Sequence, residues 1–112
     1  MTTKRRRKTL NARALASRVL ASVYSTDAFA NDLLSRQLNR LPNSDPRDRA
    51  LATELVYGTL RQQRRLDYTL SRMVRQKLTK LEPVALALLR LGAYQILCLE
   101  RIPMPIAVSA TQ

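Results

Sequence analysis

Asp45-Pro-Arg-Asp-Arg-Ala-Leu-Ala-Thr-Glu-Leu-Val-Tyr-Gly-Thr-Leu-Arg61 is the stretch on which the fold turns. Asp45 is placed to accept a hydrogen bond from an orphan amide, and Pro46 suits the first helical position because its φ is fixed and it has no donor to lose. Asp48 adds negative charge to the first turn. The spacing predicts a helix that starts there and ends near Arg61 to Gln63. Leu51, Leu55 and the pair Gly58/Thr59 recur at three- to four-residue intervals, so one stripe is apolar or small and turns toward other helices. A glycine inside a helix costs roughly 1 kcal/mol relative to alanine. That cost is most easily explained if another backbone crosses closely at Gly58, which makes this helix central.

Working outward toward the N-terminus, Leu41-Pro-Asn-Ser44 breaks the chain, and a shorter helix is expected from about Ala28 to Arg40 with Phe29, Leu33, Leu34 and Leu38 on one side. Ser25-Thr26-Asp27 reads as a turn. Before it, Ala12, Leu15, Ala16, Val19, Leu20, Val23 and Tyr24 fall at helical spacing, with Thr9 or Asn11 as the cap. Residues 1–9, with Lys4-Arg5-Arg6-Arg7-Lys8, have nothing apolar to bury and read as a disordered basic arm.

Toward the C-terminus, Leu66, Leu70, Met73 and Val74 mark a fourth helix whose other face holds Arg64, Arg65, Arg72 and Arg75. Lys77 to Leu81 is a short connection. Glu82-Pro83 then restarts a helix as Asp45-Pro46 did. From Val84 to Leu99 almost every position is apolar, and a helix apolar on nearly all sides is expected to lie buried in a core. Ile102-Pro-Met-Pro105 breaks it, and Ile106 to Gln112 begins a helical pattern that stops. No period-two pattern persists and there is no internal repeat. The fold class expected is all-α, five helices plus a truncated sixth, with residues 10–112 as one domain.

Composition narrows the function. With no His and a single Cys among 112 residues, the chain offers no zinc cluster, no disulfide framework and no His-based acid/base machinery. Its two glycines, Gly58 and Gly92, each sit alone in helical patterns, so no glycine-rich phosphate loop or dinucleotide turn is present. No cofactor or metal is expected. No apolar run approaches the roughly 20 residues of a membrane span, nor does an apolar stretch of the secretory type follow the N-terminal charges. A reducing, cytoplasmic setting is the expectation. Twenty Lys+Arg against eight Asp+Glu give a formal charge of +12. That excess attracts polyanions, nucleic acid first among them.

The run Asp48-Arg49-Ala-Leu-Ala-Thr-Glu54-Leu-Val-Tyr57-Gly58-Thr-Leu-Arg61, followed by Leu66-Asp67, by Leu89-Arg-Leu-Gly92-Ala-Tyr94-Gln95-Ile-Leu and by Arg101-Ile-Pro103, resembles the NusB family. More closely, it looks like the NusB-like N-terminal domain of bacterial small-subunit rRNA (cytosine-5)-methyltransferases of the RsmB type. The likeness runs from about Leu10 to the C-terminus. It implies an all-helical fold of two packed bundles and RNA, rRNA in particular, as the partner. In NusB proper the resemblance implies antitermination RNA bound together with a small-subunit ribosomal protein, through basic residues near the N-terminus. In the methyltransferases it implies a SAM-dependent catalytic domain following this one. None of that domain's equipment, neither glycine-rich turn nor Pro-Cys motif, is matched here, so this chain is not expected to methylate by itself. After Pro103 the sequence departs from the family pattern, with no acidic residue in the final nine positions, and these residues are not expected to close the second bundle.

Two basic groups are the RNA-binding candidates. The first is Lys4, Arg5, Arg6, Arg7 and Lys8 with Arg13 on the first helical turn, where each phosphate neutralised releases condensed cations. The second is Arg61, Arg64 and Arg65, extended by Arg72, Arg75, Lys77 and Lys80, which face a single acidic residue, Asp67, between positions 61 and 80. The bland alternative is a solvated surface with Asp67 paired to Arg64. Of the aromatics, Tyr24, Phe29, Tyr57 and Tyr94 read as core packing, and Tyr68, among arginines, is the one placed to touch a base. Glu54 and Asp48 read as structural ion-pair partners of Arg49 or Arg61 rather than an acid/base pair. Cys98 reads as an apolar filler. Two other functions fit the charge: a stand-alone antitermination factor, and a protein-interaction module whose basic face meets an acidic partner.

Overall fold

The computed structural model describes residues 11–99, and the basic arm at 1–9 and the pattern beyond Ile102 lie outside them. Asp45 caps as its position implies, its side chain accepting from the Arg47 amide at 2.8 Å, and Pro46 opens a helix that runs to Arg61. Five α-helices are described, with no strand among the described residues: α1 Ala12–Thr26, α2 Ala30–Asn39, α3 Pro46–Arg61, α4 Gln63–Ser71 and α5 Pro83–Tyr94. A 3-10 turn at Leu78–Lys80 links α4 to α5, and α5 continues into one π-helical turn at Gln95–Leu99. The all-α reading holds. The sixth helix falls outside the described residues.

α1 shares centrality with α3, for it packs against α2, α3 and α5. Its buried residues Ala12, Leu15, Ala16, Val19 and Leu20 follow the helical spacing. Asn11 is its cap, accepting from the Ala14 amide at 3.0 Å. It ends on Asp27 in the left-handed region at φ 61°, so residues 25 and 26 extend the helix instead of forming the expected turn. Asp is among the residues that tolerate that conformation as a single residue closing a helix.

Gly58 is explained differently from expectation. What crosses there is no backbone but the ring of Tyr94: a Cβ on Gly58 would lie 2.8 Å from Tyr94 Cε1 and collide outright with the end of the phenol. Tyr94, 2% exposed, donates from its hydroxyl to Glu54 Oε2. The glycine therefore makes room for a side chain that ties α5 to α3. Burial first, then the Glu54 hydrogen bond, push the Tyr94 pKa up to about 12.

Four expectations fail. Phe29 is 76% exposed, because α2 begins only at Ala30 and leaves it at the unpaired end. α4 stops at Ser71, so Met73, 74% exposed, leaves the apolar stripe. Arg49 pairs with no carboxylate: its guanidinium donates to the carbonyls of Leu38 and Leu41 at 3.0 and 2.9 Å and to Ser44 Oγ at 3.2 Å. It thereby adds a second bond to carbonyls that already accept the amides of Leu41 and Ser44, and ties the loop after α2 to α3. Finally, α5 is not buried all round. Ala87, Arg90, Leu91 and Tyr94 face the core, but Val84, Leu88 and Ile96 stand 59, 55 and 64% exposed.

Candidate nucleic-acid interface

α4 carries most of the second group of basic candidates, and a part-buried ion pair fixes its orientation. Asp67 does not pair with Arg64 as the helical interval allowed. It receives two parallel hydrogen bonds, both 2.7 Å, from Nε and Nη2 of Arg90 on α5, a bidentate geometry that locks both side chains. Arg90 is 8% exposed and its guanidinium lies 4.8 Å from the ring centroid of Tyr24 on α1, a cation–π contact strengthened by desolvation. Burial alone would loosen the proton on Arg90. The hydrogen bond to Asp67, the Tyr24 phenol oxygen and the Asp67 charge together outweigh it, so its pKa is raised. Burial likewise raises the phenol pKa of Tyr24. Three helices meet through one guanidinium.

With Asp67 held inward, the basic residues of α4 keep their charge outward. Arg64 and Arg65 are exposed in the first turn of α4, and among the described residues neither has a carboxylate partner. Arg65 donates only to Gln62 Oε1 at 3.2 Å. Arg72, the C-cap of α4, donates to the Tyr68 hydroxyl at 3.0 Å and lies 5.5 Å from that ring's centroid. Tyr68 is 66% exposed, in keeping with its reading as the aromatic open to a base. Arg75, Lys77 and Lys80 are exposed beyond the end of α4. The single basic helix face expected for Arg64 to Arg75 is therefore a helix followed by an irregular basic connection.

Arg61 stands apart. It is engaged with Glu54 at 3.3 Å, the same carboxylate that accepts from Tyr94. That bears out Glu54 as a structural ion-pair partner. Exposed pairs of this kind contribute little stability, about 0 to 1 kcal/mol, so Arg61 remains able to exchange partners.

The end of α5 touches described members of both candidate groups. Gln95, where the π turn starts, accepts a hydrogen bond from Arg13 Nε on the first turn of α1 and donates to the Leu91 carbonyl at 3.2 Å. Single π turns within α-helices recur at functional sites. Two residues on, Leu97 and Cys98 of the same turn line an open cleft of about 440 Å³ together with Arg64, Arg65, Leu66, Tyr68 and Thr69. Cys98, the chain's one cysteine, is half-buried in the cleft wall. The start of α1, which follows the basic arm in sequence, thus meets the same turn that forms part of the arginine-lined cleft. A second, almost wholly apolar groove of about 320 Å³ runs between α4 and the exposed side of α5, past Leu70, Met73, Leu88 and Ile96.

Among the described residues no cluster of His, Cys, Asp or Glu could hold a metal ion, and no described helix is long and apolar enough to cross a membrane.

The sequence profile of the NusB family matches residues 10–111. The chain belongs to the NusB family. It is 34% identical over 89% of its length to a probable ribosomal RNA small subunit methyltransferase B of Synechocystis. It is 38% identical over 86% of its length to the corresponding probable enzyme of Bacillus subtilis, and 40% identical over 96% to a putative methyltransferase of Mycobacterium tuberculosis. The chain spans only 21 to 23% of these relatives, so it corresponds to the NusB-like part of proteins several times longer. No solved structure matches it significantly.

Proposed function

We propose that this NusB-like domain binds RNA, and that it is the rRNA-engaging part of a SAM-dependent rRNA (cytosine-5)-methyltransferase whose catalytic residues lie outside the fifth of the relatives' length represented here. The observation that carries the RNA reading is at the end of α5: Arg13 bonds Gln95 of the π turn, Arg64 and Arg65 line a cleft with Leu97 and Cys98 of the same turn, and Asp67, the nearest acid in sequence, is turned to Arg90. Such an array holds phosphates by point charge and counterion release. Lys4, Arg5, Arg6, Arg7 and Lys8 precede Arg13 in sequence and would extend it, while Arg72 and Arg75 continue it past α4. That the relatives are named as ribosomal RNA methyltransferases favours rRNA and a cytoplasmic setting over a stand-alone antitermination factor paired with a ribosomal protein.

The test is a salt titration of binding to a small-subunit rRNA fragment, with polyglutamate as an acidic protein-like competitor. The expected outcome is a log–log slope of about −0.7 to −0.9 per phosphate contacted, shallower after deletion of residues 1–8. RNA and polyglutamate binding equally well would favour the protein-interaction reading instead. The mass of the native product captured from its cells separates the remaining choices: several times 12.8 kDa for an enzyme's arm, near it for a stand-alone binder.

A further inference from the structure

We infer that the cleft between α4 and the π turn seats one unpaired nucleotide of single-stranded RNA, its base stacked on Tyr68 and its phosphates held by Arg64 and Arg65. The inference rests on the RNA-binding reading and gives it a site and a strand state. Three features of the cleft support it. Its volume of about 440 Å³ lies within the range of small-ligand sites, roughly 300 to 1,000 Å³. Its lining pairs apolar Leu66 and Leu97 with cationic Arg64 and Arg65, which is the division a nucleotide presents between base and phosphate.

Tyr68 supplies the third feature. An aromatic ring 66% exposed on a nine-residue helix has given up the burial that most tyrosines obtain. Its hydroxyl is nonetheless held by Arg72, so the ring is oriented before any ligand arrives and less freedom is lost on binding. An oriented, solvent-facing ring beside unpaired arginines is the arrangement that stacks bases in single-strand binders. A duplex keeps its bases within the stack and offers none to a concave site; a loop or unpaired strand does. Hydrogen-bonding groups in the lining are confined to Thr69, Tyr68 and the arginines, so the seat reads the presence of a base more than its identity.

Cys98 gives a direct readout, since it is the only cysteine and lines the cleft. The rate of its alkylation by N-ethylmaleimide in the full chain should fall in the presence of a short oligouridylate and stay unchanged with an RNA duplex of equal length. In parallel, Tyr68→Ala should weaken oligouridylate binding roughly tenfold without altering the salt slope, and Tyr68→Phe should restore most of it. Arg64→Ala and Arg65→Ala should each flatten the slope by about 0.7. Salt-dependent RNA binding that persists with Cys98 unprotected and Tyr68→Ala at wild-type affinity would overturn the cleft and leave the RNA-binding reading standing. Equal protection by duplex would overturn the single-strand assignment, and absence of any RNA binding would overturn both.

Discussion

Leu91 and Leu88 lie three residues apart on α5, yet Leu91 is 3% exposed and Leu88 is 55%. The inner face of α5 joins one buried cluster with Leu15, Val19 and Leu20 of α1 and Leu55 and Val56 of α3. Among the described residues the outer face has the end of α4 beside it, and α4 stops at Ser71, too early to cover Leu88 or Ile96. The outer face, with Val84, Leu88 and Ile96, is no less apolar than the inner one, which carries Arg90. What separates them is whether another helix supplies a matching surface, and this argues that the domain's stability is concentrated on the α1/α3 side of α5.

The sharpest way to break that conclusion is a cavity on the inner side. Leu55 is fully buried between helices, so Leu55→Ala loses both transfer energy and packing, about 3 to 4 kcal/mol. Urea unfolding should show the midpoint fall with little change in slope. A loss under about 1 kcal/mol would mean that the inner face is loosely packed and the contrast with the outer face is false.

The ion pair beneath α4 comes next. Asp67→Ala leaves the guanidinium of Arg90, with its side chain 9% exposed, without a counter-charge, and removing one partner of such a pair costs about 3 kcal/mol. Replacing both residues, Asp67→Leu with Arg90→Met, should recover most of it, because the desolvation of the lone charge disappears. The pair's larger effect is expected on orientation: once α4 is released, the cleft of Arg64, Arg65 and Tyr68 loses its geometry, and RNA affinity falls in the single variant more than in the double.

Tyr94 gives a smaller effect with a defined sign. Its folded pKa of about 12 exceeds the unfolded value of about 10, so the folded state prefers the neutral phenol. The stability tied to that proton is complete below about pH 10 and is lost as pH rises toward 12. Thermal unfolding of the wild-type chain should therefore decline more steeply across that window than that of Tyr94→Phe. Parallel curves would show that the phenol's burial and its bond to Glu54 do not perturb its titration.

Much of this architecture was legible beforehand because it depends on local rules. Asp45-Pro46 and Glu82-Pro83 mark helix starts through backbone chemistry alone, and the stripes of α1 and α3 follow from period. The exposed arginines of α4 were equally plain. What escaped were the relations between distant positions. Arg90 stands in an apolar run and carries no local sign of the carboxylate 23 residues earlier that accepts from it. Gly58 indicated a close approach but not that a tyrosine makes it. Arg13 and Arg64 belonged to separate candidate groups, with no local sign that Gln95 bonds the first and that Leu97 lines a cleft with the second. One signal could have been used: Asp67 is the single acid between positions 61 and 80, and an isolated acid among arginines invites a search for a distant cation.

The smallest expected effect is the one that bears most directly on the two faces. Leu88→Ala removes as many carbon atoms as Leu55→Ala, but from a side chain already more than half in water. Transfer and cavity costs scale with what burial supplies, so the change in stability should stay within about 0.5 kcal/mol. Measured together by urea unfolding, the two variants hold chemistry constant and vary only the neighbourhood. If Leu88→Ala proved as costly as Leu55→Ala in the isolated chain, the outer face would have to be covered in solution, by another part of the chain or by a second copy. A concentration series would then separate those two, since only self-association makes the unfolding midpoint depend on protein concentration.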